Sequence, residues 1–267
     1  MMETAMTPFH ALHRSGLLIL PNAWDGGSAA LMASLGAKAV ATTSAGVAWA
    51  LGWPDGDALP VERVVQAARD VVRGAGGLPV SIDMEGGYSD DPAEVAGLAR
   101  RLVEAGTQGI NIEDGGGSPE ALAAKIAAIK AAVGGALFVN ARCDVWLRDL
   151  APDAPVAEAA RRGAIYQAAG ADGLFTPGLT NAGDIAVMVA ATPLPLNLLA
   201  YPGLPDAKAL EALGVRRLSA GSGVCSAVWG RAAALTKGFL ADGRSEPLME
   251  GALGWGAVNA LMPQGRD

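Results

Sequence analysis

Short apolar runs recur along this chain, and each breaks off into polar or charged residues: A-V-A-T-T-S (39–44), V-S-I-D-M-E (80–85), I-N-I-E-D (110–114), L-F-V-N-A-R-C-D (137–144), G-L-F-T-P (173–177) and L-P-L-N (194–197). These runs and their flanks predict strands near 17–21, 38–43, 79–83, 109–113, 137–142, 173–176, 194–198 and 216–219. Helical spacing fills 26–35, 60–74, 92–104, 119–133, 155–169, 181–191 and 206–213, with Pro, Ser, Asp or Asn opening several of these stretches. Strand alternating with helix is the α/β signature. Eight strands is the count of a barrel whose catalytic groups sit where parallel strands end. Gly36, Gly106, Gly170 and Gly214 each fall between a helix and the next strand, where a left-handed cap is needed.

The pattern therefore predicts one domain over residues 1–267, a (β/α)₈ TIM barrel preceded by a short helix at about 4–14. Beyond the last strand, 224–241 reads as an Ala-rich helix. A further helix over 246–261, within a terminal segment 245–262, carries Leu248, Met249, Leu253, Trp255, Val258 and Leu261. That is more apolar surface than a solvated tail should show, so the segment either packs on a neighbouring subunit or folds back on its own barrel.

Composition narrows the function. Residues are 51% apolar and only 18% charged, the mix of buried strands and small-residue helices. A formal net charge of -7 argues against nucleic-acid or anionic-membrane binding, which needs clustered Lys and Arg. Cys143 and Cys225 make no disulfide framework, and no early apolar run is long enough for a signal or a span. The expectation is a cytoplasmic protein.

The candidate chemistry lies at the strand ends. Asp83 and Glu85 are two apart and would face the same side of a regular strand, towards the barrel mouth. Such hard oxygen ligands suit Mg²⁺ or Mn²⁺, with Glu113 adding a carboxylate directly or through water. The competing account pairs one or more of these acids with Arg, or caps a helix with it. Arg142 could bind a substrate carboxylate or enolate oxygen, or instead bridge to Asp114 or Asp144. Thr42, Thr43 and Ser44, followed by Ala45-Gly46, offer hydroxyls and amides in a tight turn, a cradle for a carboxylate. His10 and His13 read as a solvated helix face. Cys143 should point away from the mouth, and Cys225 should be buried in the helix that follows the last strand.

P-N-A-W-D (21–25), T-T-S-A-G-V-A (42–48), G-W-P-D (52–55), I-D-M-E-G-G-Y (82–88), N-I-E-D (111–114), N-A-R-C-D (140–144) and A-G-A-D-G-L-F (169–175) occur in order. Together they resemble the isocitrate lyase and phosphoenolpyruvate mutase superfamily, including methylisocitrate lyases and oxaloacetate-processing relatives. The resemblance implies a Mg²⁺-dependent barrel that binds a small 2-oxo or 2-hydroxy carboxylate and makes or breaks a bond next to an enolate. On that transfer Asp83 holds the metal, with Glu85 and Glu113 reaching it directly or through water. Asp55 becomes an acidic neighbour on the mobile segment after the second strand. Trp24 lines the pocket, Thr43, Ser44 and Ala45 hold the substrate carboxylate, and Arg142 and Asn197 take its other oxygens. A protruding C-terminal helix implies a homodimer or homotetramer.

Two family features are missing. The lyase gating loop, with its K-K-C-G-H or K-R-C-G-H motif, should follow Glu113-Asp114, but G-G-G-S-P-E stands there. The sixth-strand acid is replaced by F-T-P-G-L-T. Tyr88, Asp55 or metal-bound water would then have to supply the proton, unless the reaction needs no strong protein acid, as in decarboxylation or hydrolysis of an oxaloacetate-like substrate. Cleavage of a carbon–carbon bond in a di- or tricarboxylate is the leading expectation. Phosphorus–carbon chemistry and non-catalytic binding of 2-oxo acids are the alternatives.

Overall fold

The computed structural model describes residues 6–263. Nine strands, all parallel, form one sheet: β1 (Leu18–Leu20), β2 (Asn22–Ala23), β3 (Val40–Thr42), β4 (Val80–Asp83), β5 (Gly109–Glu113), β6 (Phe138–Arg142), β7 (Gly173–Phe175), β8 (Leu196–Leu199) and β9 (Arg217–Ser219). The sheet runs β1-β9-β8-β7-β6-β5-β4-β3-β2, so its two edges are the two halves of one stretch interrupted at Pro21. Proline has no N–H to donate, and the stretch changes partner there: Leu18–Leu20 pairs with β9 and Asn22–Ala23 with β3. With that stretch counted once, the sheet closes as the eight-stranded barrel that the pattern predicts.

Helix α1 (Pro8–Ala11) precedes β1, and helices α2 (Gly26–Ser34), α3 (Ser44–Ala50), α4 (Val61–Gly74), α5 (Pro92–Glu104), α6 (Pro119–Val133), α7 (Pro155–Ala168), α8 (Ala182–Ala191) and α9 (Ala207–Ala212) connect the strands. Asp25, Asp91, Ser118, Asn181 and Asp206 cap helices by accepting first-turn amide protons. Gly36, Gly106, Gly170 and Gly214 have φ between 90° and 101°, as the spacing required. Helices α2 and α4 touch where a Cβ on Gly74 would lie 2.1 Å from the carbonyl oxygen of Gly26, so glycine fixes that crossing. The core is the layer between strands and helices, with Val40, Ile82, Ile110, Ile112, Val139 and Leu198 facing Val71, Leu102, Ile126 and Ile185.

Several expectations change. The first helix is short, Pro8–Ala11, and the start of the expected 4–14 stretch lies outside the described residues. This helix plugs the base of the barrel rather than presenting a solvated face. His10 and His13 are both buried, and His13 stacks on Phe138 with ring centroids 4.1 Å apart. Helix α3 was not expected; its T-T-S-A-G-V-A sequence reads as a turn until Thr43 proves to be its N-cap. The chain ends in α10 (Gly223–Asp242), α11 (Glu246–Met249) and α12 (Trp255–Leu261). The single helix expected over 246–261 is broken, with Gly251 at φ 70° and Gly254 as the cap of α12. Helix α12 touches α2, while Trp229, Leu240, Met249 and Trp255 remain exposed.

Candidate active site

A cavity of about 130 Å³ opens at the C-terminal ends of the strands. Thr43, Ser44, Ala45, Asp55, Asp83 and Arg142 line it, as do Asn22, Asn111, Ser219 and Ser222; Leu147, Phe175, Pro177, Leu199 and Gly221 make the rest of the wall. Local folding explains the cradle. Strand β3 stops where Thr43 caps α3, leaving the first amides of that helix without intrahelical partners. The turn is held from three sides. Asn22 donates from Nδ2 to the Thr42 carbonyl (2.7 Å), the Asp83 amide donates to Thr42 Oγ1 (2.8 Å), and Gly46 packs so tightly that a Cβ would lie 2.9 Å from Cβ of Trp24.

Asp83 ends β4 and faces the cavity. Burial raises its pKa, opposed by Arg142 and by the amides of Glu85 and Ser44. Glu85 does not share that face, which corrects the expectation of two same-facing acids. The strand ends at Asp83, Met84 enters the core, and Glu85 takes a left-handed conformation at φ 51°. Its Oε2 accepts from the amides of Gly56 (2.8 Å) and Asp57, and its Oε1 from the Tyr88 hydroxyl (2.5 Å). Asp57 accepts in turn from the Tyr88 amide at 3.1 Å. Glu85 and Tyr88 therefore pin the 52–60 segment that presents Asp55 to the cavity. Tyr88 is not on the cavity wall, and burial followed by its bond to Glu85 pushes its phenol far above the usual range.

Arg142 ends β6 and is gripped by two acids. Nη1 pairs with Glu113 Oε2 at 2.5 Å, while Nε and Nη2 donate to the two oxygens of Asp144 at 2.6 and 3.0 Å. Asp114 bonds elsewhere, accepting from Arg162, Tyr166 and the amide of Asp144. Of the two structural bridges considered for Arg142, only that to Asp144 forms, and Arg142 still lines the cavity. Burial pushes the Glu113 carboxyl up to about 8, against the pull of Arg142.

The donor set fits one hard cation anchored on Asp83. Asp83, Glu113 and Asp144 crowd a single guanidinium, so the mouth is short of positive charge. Glu113 could reach such an ion only through water or by giving up Arg142, and Glu85 only by releasing the 52–60 segment. Among the described residues no three His, Cys, Asp or Glu side chains already stand grouped as a metal cage.

Asn197 and Trp24 lie off the cavity wall. Asn197 is buried beneath it, where its Oδ1 accepts from Ser219, which in turn accepts from Arg217 Nε at 3.0 Å. Asn111 Oδ1 accepts from both Asn140 and Arg217. Of this polar floor only Asn197 was a candidate from the sequence; Asn111, Arg217 and Ser219 were missed. The available sign was the alternation of Arg217 and Ser219 on β9, which puts both inside the barrel. Arg217 is fully buried, and desolvation lowers its pKa to about 9. Cys143 lies in the core and Cys225 is buried, as expected of both.

The turn between Glu113 and α6 is only Asp114–Ser118, so no gating loop stands over the cavity. Where the resemblance places an acid, Phe175 and Pro177 stand instead.

A family model described as phosphoenolpyruvate phosphomutase matches residues 9–240. An uncharacterized protein of Mycobacterium tuberculosis is 41% identical over 224 residues, covering 80% of this chain and 81% of its own. An oxaloacetate decarboxylase of Rhodopseudomonas palustris is 32% identical over 183 residues, 62% of this chain and 60% of its own. Among solved structures, a Burkholderia cenocepacia protein provisionally classed as a lyase/mutase superposes with a TM-score of 0.84, 35% identity and coverage of 94% and 93%. Phosphonopyruvate hydrolase, solved with oxalate and Mg²⁺, shares the fold at a TM-score of 0.81 and 22% identity, covering 95% of this chain and 93% of its own.

Proposed function

The chain belongs to the phosphoenolpyruvate phosphomutase family, and on that premise we propose a Mg²⁺-dependent enzyme that cleaves a carbon–carbon bond in a small 2-oxo or 2-hydroxy carboxylate through an enolate. The observation that carries this reading is that Asp83, Arg142 and the Thr43–Ala45 turn line one cavity at the barrel mouth. The decarboxylase relative and the Mg²⁺-bound structural neighbour support the reaction class and the ion.

Each residue then has a role. The Ala45 amide and the hydroxyls of Thr43 and Ser44 orient the substrate carboxylate, while the Thr43 amide is held by the Ala23 carbonyl and the Ser44 amide by Asp83. Arg142, held in one orientation by Glu113 and Asp144, meets the negative charge that grows on the enolate oxygen; being fixed in advance, it needs no reorganisation when the bond breaks. Asp83 would hold Mg²⁺, and the chemistry that ion supplies when bound is Lewis-acid stabilisation of an oxyanion. Asp55 is the acid on the wall able to move a proton. Tyr88, its hydroxyl committed to Glu85, positions the Asp55 segment. With no cysteine loop above the cavity, the enolate takes its proton from solvent or Asp55, which favours decarboxylation over tight isocitrate-type cleavage.

Assembly belongs to the same reading. The exposed apolar residues of α10 to α12, together with an apolar groove over β1 and β9 lined by Leu17, Ile19, Leu35 and Leu218, support a homodimer or homotetramer through the C-terminal helices.

The test is turnover with Mg²⁺ of oxaloacetate, alkylmalates, isocitrate, methylisocitrate and phosphonopyruvate by the native chain and by Asp83→Ala. Carbon–carbon cleavage of one substrate, lost in Asp83→Ala, supports the proposal. No turnover of any of them, with metal-dependent binding retained, would contradict it.

A further inference from the structure

The neutral polar side chains on the wall beyond the cradle are not equally free to meet a ligand. Asn22 is occupied at both ends, donating from Nδ2 to the Thr42 carbonyl at 2.7 Å and accepting from the Gly221 amide at 2.9 Å. Ser219 donates its proton to Asn197 Oδ1 and accepts from Arg217 Nε. Ser222 precedes α10 without capping it, so its hydroxyl still rotates.

Asn111 differs from all three. Its Oδ1 accepts from Asn140 Nδ2 at 2.9 Å and from Arg217 Nη2 at 3.2 Å, which fills both lone pairs. A guanidinium can only donate, so the amide cannot be turned over: the oxygen faces Arg217 and Nδ2 faces the other way. Among the described residues Nδ2 bonds to nothing, and it is not sealed in the core as the unpartnered Arg217 Nη1 and Asn197 Nδ2 are. Nδ2 is therefore the end of Asn111 that reaches the cavity. With its oxygen occupied, Asn111 offers an N–H donor and no ligand to a metal.

Strand register places this donor. Asn111 pairs with Asp83 on β4 and with Asn140 on β6, two residues before the pairing of Glu113 with Arg142. A ligand oxygen shared by an ion on Asp83 and by the Arg142 guanidinium thus lies over Asn111. Arg217 backs the donor from below. It is fully buried, and desolvation, opposed by Asp83, lowers its pKa only to about 9, so it keeps its charge at neutral pH. Its bonds go to the neutral oxygens of Ser219 and Asn111, and a cation on Oδ1 polarises the amide and strengthens the N–H at its other end.

We propose that Asn111 Nδ2 is a further donor to the substrate oxygen that becomes the enolate oxyanion, and that Arg217 is the positioning residue that fixes it. The inference rests on the functional reading above and adds a donor set in place before the bond breaks, where such a group is most effective.

The test is binding of oxalate with Mg²⁺ to the full chain by calorimetry, together with a crystal structure of the native protein holding both. Asn111→Asp keeps the acceptor for Asn140 and Arg217 and exchanges the donor for a charge. It should melt no lower than the native protein and bind oxalate at least about tenfold more weakly. Asn111→Leu combined with Arg217→Met removes donor and acceptor together without adding charge, and should show a similar loss while native circular dichroism is kept. If the double variant does not fold, the crystal structure decides: an oxalate oxygen should lie within about 3.2 Å of Asn111 Nδ2. Three results would each overturn the assignment and leave the functional reading standing: Asn111→Asp binding oxalate within about threefold of the native protein, a loss in Asn111→Asp that the folded double variant does not share, or bound oxalate with no oxygen within about 4 Å of Nδ2. Failure of the native protein to bind oxalate with Mg²⁺ overturns both.

Discussion

Arg142 is the residue on which the chemistry turns, because its planar fork is filled by Asp144 on one edge and Glu113 on another before any ligand arrives. A lysine cannot reproduce that fork. Arg142→Lys should lower kcat/KM by about 10²–10³, mostly in kcat, as expected when a fixed oxyanion donor is lost; an equal rise in KM with kcat unchanged would show that it only binds substrate. Asp83 and Glu85 separate in the same way. Asp83→Asn should weaken Mg²⁺ binding by on the order of tenfold or more, while Glu85→Gln, which loosens the Gly56–Asp57 amides, should change it by less than about threefold. Titration of Mg²⁺ into both variants decides this. Spacing gave both acids as candidates, but it could not tell them apart, because a two-residue interval implies a shared face only while the strand continues. Here the strand stops at Asp83 and Glu85 turns left-handed.

At the scale of elements, the plug at the base of the barrel carries the clearest pH dependence. His13 packs between Phe9 and Phe138, its Nδ1 bonded to the Phe9 carbonyl at 2.8 Å and its Nε2 buried without a partner. Burial, followed by the nearby Arg217 charge, lowers its pKa from 6.5 to about 3. The folded state thus prefers the neutral ring. Its contribution is complete above about pH 6.5 and is lost as pH falls towards 3, where the unfolded chain binds the extra proton. Thermal melts should show a Tm that drops across that window, and His13→Leu should flatten the drop. Phe9→Ala, which empties a fully buried ring site, should cost about 3–5 kcal/mol by denaturant unfolding. The barrel strands and most helices were legible because each apolar run is bounded by a cap or a glycine. The plug was not, since His10 on a four-residue helix and His13 just beyond it look polar until the barrel floor closes over them. Helix α3 was hidden by its Thr-Ser-Gly content, and the break between α11 and α12 by apolar residues that kept helical spacing across Gly251 and Gly254.

For the whole molecule, the last helices expose much apolar surface although α10 buries Cys225 and α12 touches α2, and among the described residues Trp255 and Leu240 are each about four-fifths exposed, at 81% and 80%. Surface of that kind is stable when a second copy covers it. Leu240→Asp with Trp255→Asp should therefore shift the protein to a smaller species in sedimentation velocity, with its far-UV circular dichroism kept. The proposed chemistry needs the barrel mouth to hold one cation and one carboxylate side by side. A crystal structure of the protein with Mg²⁺ and oxalate tests this most directly. The ion is expected on Asp83 and the oxalate between the Thr43–Ala45 turn and Arg142. An ion bound elsewhere, or oxalate absent from that cavity at saturating concentration, would contradict it.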